Sequence, residues 1–92
     1  MPERTATIAS RSGLHARPAA IFAEAAGESP VEVTIAMAGA PADDALDAAS
    51  ILSLMTLGAA KGDVVVLRAE GDGAEAALDS LVTLLETDLD AV

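Results

Sequence analysis

Apolar and polar positions alternate along some stretches of the chain and recur every three to four residues along others. Val31, Val33, Ile35 and Met37 alternate with Glu32, Thr34 and Ala36, which predicts a strand with one buried face. Thr5-Ala6-Thr7-Ile8-Ala9 alternates more weakly and predicts a short strand, and Val64-Val65-Val66-Leu67-Arg68-Ala69 predicts another. Helical spacing runs from about Ala16 to Ala26, with Ile21, Phe22 and Ala25 on one face. Pro18 is tolerated there because first-turn N–H groups have no intrahelical acceptor to lose. Gly27, with Pro30 just beyond it, predicts the stop. Ser50 to Leu57 predicts a short helix ended by Gly58. Leu78, Leu81, Val82, Leu85 and Leu89 form a helical stripe behind an Asp72–Glu75 capping box. Glu86, Asp88 and Asp90 close that helix with charges that oppose its dipole, so its last turn is expected to fray. Ala38-Gly39-Ala40-Pro41 is a turn, and Ala42 to Asp47 predicts a short, poor strand after an irregular hairpin.

The predicted order is strand, helix, strand, strand, helix, strand, helix, with no internal repeat and no linker. Residues 1–92 therefore form one domain. Strands of this kind, with helices on one face of an antiparallel or mixed sheet, make an α+β two-layer sandwich.

Composition sharpens the picture in two respects. The chain is 52% hydrophobic, but 22 of those residues are alanine and only Phe22 is aromatic, so the core is thin and favours helices on a sheet. The net charge of −10 argues against binding nucleic acid or an anionic membrane through bulk electrostatics. It favours a protein partner with a basic docking face. With no cysteine there is no disulfide framework and no thiolate metal site. No apolar run approaches the roughly 20 residues of a membrane span, and no signal peptide is evident, so membrane insertion is not expected and a cytoplasmic location is.

The candidate chemistry lies in Gly13-Leu14-His15-Ala16-Arg17-Pro18, which contains the only histidine. His15 follows a loop and directly precedes a predicted helix. The free N–H groups of a helix N-terminus favour an anion, and the Arg17 guanidinium can clamp one. A neutral imidazole in that position is a nucleophile suited to take up a phosphoryl group. Phosphoryl transfer needs the group positioned and its charge offset. Arg17 and the amides of Ala16 and Arg17 supply both, and Ser12 adds a hydroxyl. Arg11 and Arg17 together make a positive island in an acidic protein. One histidine and no cysteine fall short of a zinc site, and no nucleophile elbow supports a Ser-His-acid hydrolase, so neither a metal nor another cofactor is expected. A second segment, Ser50 to Leu57, holds Ile51, Leu52, Leu54, Met55 and Leu57, more than one face of a short helix can bury, so part of it faces solvent or a partner.

Taken together, Gly13-Leu14-His15-Ala16-Arg17-Pro18-Ala19 and Ala49-Ser50-Ile51-Leu52 through Met55-Thr56-Leu57-Gly58-Ala59 resemble the histidine-containing phosphocarrier (HPr) family of the bacterial phosphoenolpyruvate:sugar phosphotransferase system. The resemblance implies an open-faced β-sandwich, with a four-stranded antiparallel sheet and three helices on one face. It implies that His15 is phosphorylated at Nδ1 by enzyme I and passes the group to the IIA domain of a sugar permease. Arg17 would neutralise the group in transit, and Ala20, Ile51, Leu52 and Met55 would form the docking surface. Ser50 falls where some members carry a regulatory phosphorylation. Those members have a lysine before it, where this chain has Ala49, and a glycine where this chain has Ser53. The stretch from Ala38 to Asp47 is also about four residues longer than is common in the family, by the same resemblance. The alternative function is that of a regulatory protein on the same scaffold, whose phosphorylation state controls a kinase, a transcription factor or a non-sugar branch.

Overall fold

The structure, a computed structural model, describes residues 2–41 and 44–89. Its four strands are β1 (Glu3–Thr7), β2 (Val33–Met37), β3 (Leu46–Asp47) and β4 (Val64–Ala69). They pair antiparallel in the order β1-β4-β2-β3. Three helices, α1 (Ala16–Gly27), α2 (Ile51–Leu57) and α3 (Ala74–Leu85), complete the chain. The expected open-faced sandwich is the observed one.

Strand periodicity decides which face the helices cover. Ala6, Ile8, Val33, Ile35, Val65, Leu67 and Ala69 belong to one buried cluster with Phe22 of α1, Leu54 of α2, and Leu78, Leu81 and Leu85 of α3. Each large side chain so buried contributes about 1.5–3 kcal/mol. The opposite face pairs Val66 with Thr5 and Ala36, and Arg68 with Thr34. There the Arg68 guanidinium contacts Glu3 at 3.4 Å. The helices cover one side only; on the other, Thr5, Thr7 and Val64 are exposed while Val66 and Ala36 stay shielded, as an antiparallel sheet permits. The helices also contact one another: α1 packs against both α2 and α3, while α3 lies across β1 and β4.

Several boundaries differ from the sequence reading for identifiable reasons. The first strand begins at Glu3 and ends at Thr7, because Glu3 and Arg4 find partners in Arg68 and Leu67. At Ile8 the pairing is only half made: its N–H still donates to the Asp63 carbonyl at 2.9 Å, but its own carbonyl accepts the Gly62 N–H and the Asp63 N–H turns to Ala60. The poor strand contracts to Leu46–Asp47, paired with Ile35 and Thr34; Ala42 and Asp43 lie outside the described residues. Gly27 is the last residue of α1 rather than a left-handed cap, and Glu28, in a right-handed conformation, caps the helix. The capping box is absent: α3 starts at Ala74, one residue later than that motif requires, and Gly73 (φ 86°) takes the cap position with no side-chain hydrogen bond. Beyond Leu85 the chain is tied down. The Glu86 carboxylate accepts the Thr7 N–H at 3.3 Å, Asp88 pairs with Arg11 at 3.1 Å, and Leu89 is buried. The acidic residues expected to loosen this end instead fasten it to β1 and the loop after it. Asp90 lies outside the described residues.

Candidate functional site

The loop between β1 and α1 is held at both ends. Gly13 adopts φ 70° and presses on the Ala59–Ala60 backbone so closely that a Cβ would collide with the Ala59 carbonyl oxygen. Only glycine meets both conditions. The next N–H, that of Leu14, donates to the Ala59 carbonyl at 2.9 Å, and the Leu14 side chain is buried. His15 therefore emerges from an anchored backbone, and it is exposed.

His15 occupies the N-cap of α1 with extended backbone (φ −129°, ψ 159°) and gives the helix no side-chain hydrogen bond. The amides of Ala16 and Arg17 have no intrahelical acceptor, and neither donates a hydrogen bond among the described residues. Pro18 follows with no N–H and, like Ala19, is buried, which seats the first turn on the core. Ala16 is the one non-glycine residue with a positive φ (48°) among those described. A left-handed conformation costs a residue with a Cβ about 1–2 kcal/mol, and strain of this kind concentrates at functional sites.

Charge is distributed in the same sense. Three of the five cations are engaged: Arg4 with Asp79 at 3.0 Å, Arg11 with Asp88, and Arg68 with Glu3. Arg17 and Lys61 make no ion pair with any described residue. The positive island expected from Arg11 and Arg17 thus reduces to Arg17, since Asp88 neutralises Arg11. Ser12 and Ala16 are exposed beside His15 in the chain. Ala20 is exposed one helical turn beyond Ala16, on the same side of α1.

The second segment divides cleanly. Leu54 is fully buried and Leu57 is half-buried, while Ile51, Leu52 and Met55 stand out at 45%, 79% and 44% exposure. Because α1 packs on α2, this apolar patch belongs to the helix pair that carries His15. Ser50 is the N-cap of α2: its hydroxyl oxygen accepts the Ser53 N–H at 3.2 Å, which explains a serine there by local structure. Gly58, with φ 68°, closes the other end. A hollow of about 490 Å³ lies between the end of α1 and the β2–β3 edge, and none of the candidate residues lines it. No group of metal-ligating side chains occurs among the described residues. The arrangement is an open nucleophile beside an apolar platform, a geometry that serves a protein partner better than an enclosed small molecule.

Two features escape the sequence reading. The left-handed turn at Ala16 leaves no mark in an alanine. The tethering of residues 86–89 to the loop leaves a signal, the alternate acids Glu86 and Asp88, which on charge alone reads as fraying.

Comparison with known proteins agrees with this geometry. Residues 2–87 match the family model described as the PTS HPr component phosphorylation site. The phosphocarrier protein HPr of Streptomyces coelicolor is 45% identical over 91 residues, covering 98% of this chain and 94% of that protein. Its namesake in Haloferax volcanii is 46% identical over 85 residues, 92% and 93% of the two chains. A crystal structure of HPr from Thermoanaerobacter tengcongensis superposes with a TM-score of 0.83 at 38% identity, covering 98% and 97%. Both relatives are named as carriers, so the reading as a regulator on the same scaffold is not favoured. With an exposed histidine heading a helix and a match along nearly its whole length, the chain belongs to the HPr family, the phosphocarriers of the phosphotransferase system.

Proposed function

We propose that His15 is the residue that carries the phosphoryl group, accepting it from phosphorylated enzyme I and releasing it to the IIA domain of a sugar permease. One observation carries this reading: an exposed imidazole at a helix N-cap that leaves two first-turn amides unpaired, with an unpaired guanidinium two residues along. In the step itself the Nδ1 lone pair attacks phosphorus in line with the donor's leaving atom. The new P–N bond forms as the donor bond breaks, and that bond's electron pair stays with the leaving atom. Charge spreads over the three equatorial oxygens. The Ala16 and Arg17 amides and the Arg17 guanidinium are the donors that offset it, and Ser12 offers a hydroxyl beside them. Ala20, Ile51, Leu52 and Met55 form the platform on which enzyme I and the IIA domain dock in turn. Such a carrier works in the cytoplasm, turns over nothing alone and needs no cofactor or metal. Ser50 serves α2 as its cap in this reading, and a phosphate there would stand beside the docking platform.

The test is incubation with enzyme I, magnesium and labelled phosphoenolpyruvate. The wild type takes up one acid-labile phosphoryl group, His15→Ala takes up none, and Arg17→Ala takes it up about 100-fold more slowly, the effect of losing one stabilising donor. Equal labelling of His15→Ala and wild type sinks the assignment.

A further inference from the structure

Ser10 is the one polar residue buried among those described, at 2% exposure. Its hydroxyl accepts the Leu89 N–H at 2.9 Å and donates to the Thr87 carbonyl at 3.4 Å. Its own carbonyl accepts the Gly13 N–H at 2.9 Å, two residues before His15. One residue therefore grips the chain after α3 with its side chain and the histidine loop with its backbone. Neighbouring contacts run the same way: the Ala9 N–H donates to the Leu85 carbonyl at 3.1 Å, and Arg11 pairs with Asp88. Leu89 is buried at 2% exposure, which gives the clasp an apolar anchor.

The loop lies outside the sheet and the helices; Ile8 and Leu14 anchor its two ends through buried side chains and bonds to residues 59–63, and the stretch between them is ordered by the contacts with residues 85–89. A buried hydroxyl that satisfies two backbone groups is costly to remove, because those groups are then left unpaired in a dry place. The strain at Ala16 makes the same demand: a left-handed alanine persists only where its surroundings over-determine it. The anchored stretch from Ser10 to Leu14 supplies that constraint on the N-terminal side.

We infer that Ser10 is a positioning residue for phosphoryl transfer, clasping the segment after α3 to the acceptor loop so that His15, Arg17 and the Ala16 amide meet the phosphoryl group together. The inference rests on the reading of His15 as acceptor. Ser10 touches neither the phosphoryl group nor the partner. Its loss therefore lowers the rate of transfer within the docked complex and leaves docking intact.

The experiment is steady-state phosphorylation by enzyme I with the carrier as varied substrate, for wild type and Ser10→Ala, with amide exchange followed by NMR. Ser10→Ala is expected to lose about tenfold in kcat with KM within about twofold, the signature of a misplaced acceptor. Exchange at Gly13 and Leu14 accelerates in the same variant while the β2 and β4 amides stay protected. A role in stability alone predicts the reverse: part of the carrier is unfolded, apparent KM rises and kcat holds. Ser10→Cys keeps the side-chain shape with a slightly larger atom and weakens both hydrogen bonds, and gives the same kcat loss where Ser10→Ala does not fold. A labelled wild type with unchanged kcat in both variants overturns this inference alone. A wild type that takes no phosphoryl group overturns the acceptor reading and this inference with it.

Discussion

The starts of α1 and α2 meet the same problem with different residues. Every helix begins with N–H groups that lack partners. At α2 the chain supplies one: Ser50 in extended backbone accepts the Ser53 N–H, and the helix is closed at its far end by a left-handed glycine. At α1 the same position holds His15, which caps nothing, followed by a left-handed alanine and, two residues further on, a proline with no N–H at all. Only the α1 start carries an unpaired arginine. At α2 the Ser50 side chain satisfies the third amide, and those of Ile51 and Leu52 keep no partner among the described residues. At α1 the amides of Ala16 and Arg17 are likewise unpaired, the third position is a proline, and the helix forgoes a cap worth roughly 1 kcal/mol. The start of α1 gives up local stability that the start of α2 keeps.

The sharpest way to break the comparison is to give α1 the cap it lacks. Pro18 at the third helical position has no N–H, so a capping side chain at position 15 can reach only the Arg17 amide. His15→Asn is expected to abolish labelling completely while melting no lower than the parent. A large fall in melting temperature would show that the imidazole is itself a structural element and that the start of α1 is not held open for a ligand.

The next largest effect separates the two sides of α2. Leu54→Ala empties a fully buried site and is expected to cost about 2–5 kcal/mol in urea denaturation. Leu52→Ala, at the most exposed of the large apolar residues, is expected to stay within about 0.5 kcal/mol of the parent. It raises KM toward enzyme I about tenfold, as loss of an apolar contact on a docking surface does. A Leu52 variant as unstable as the Leu54 variant would mean that the patch belongs to the core.

These contrasts also show how far the sequence can be read. The strands from Val33 and Val64 and the stripe Leu78–Leu81–Leu85 are legible because burial is periodic and the residues are bulky. His15 is legible because a sole histidine between a glycine loop and a helix start stands where backbone donors favour an anion. The five large apolar residues of Ser50–Leu57 announce that some must be exposed, but which ones depends on how α2 sits against α1 and β3. Capping rules place the start of α3 one residue early, since Asp72 and Gly73 both suit a helix start and only tertiary packing chooses between them. Arg11 reads as part of the site because its partner, Asp88, lies 77 residues away in sequence. Short-range rules see neither that ion pair nor the bonds made by Ser10.

A smaller effect is expected at the capped helix start. Ser50→Ala removes the hydroxyl that accepts the Ser53 N–H and should lower stability by about 1 kcal/mol with an unchanged denaturant slope. Transfer from enzyme I to the variant proceeds at the parent kcat, because this cap holds α2 and not the acceptor loop. A fall in kcat equal to that of Ser10→Ala would erase the division of labour between the two helix starts.

The smallest change tests the strain itself. Ala16 and Ala20 stand one turn apart on the same helix and are both exposed, so the same substitution at each differs only in backbone conformation. At Ala20, in the helix interior, glycine adds freedom to the unfolded chain and is expected to cost about 1 kcal/mol. At Ala16 that same entropy opposes a gain of about 1–2 kcal/mol from removing the Cβ at φ 48°. The balance favours Ala16→Gly by up to about 1 kcal/mol relative to the parent. Opposite signs for the two variants in urea denaturation would confirm that the helix beside His15 begins with a strained residue. Equal losses would mean that residue 16 is an ordinary right-handed helical position, and that the open start of α1 stores nothing.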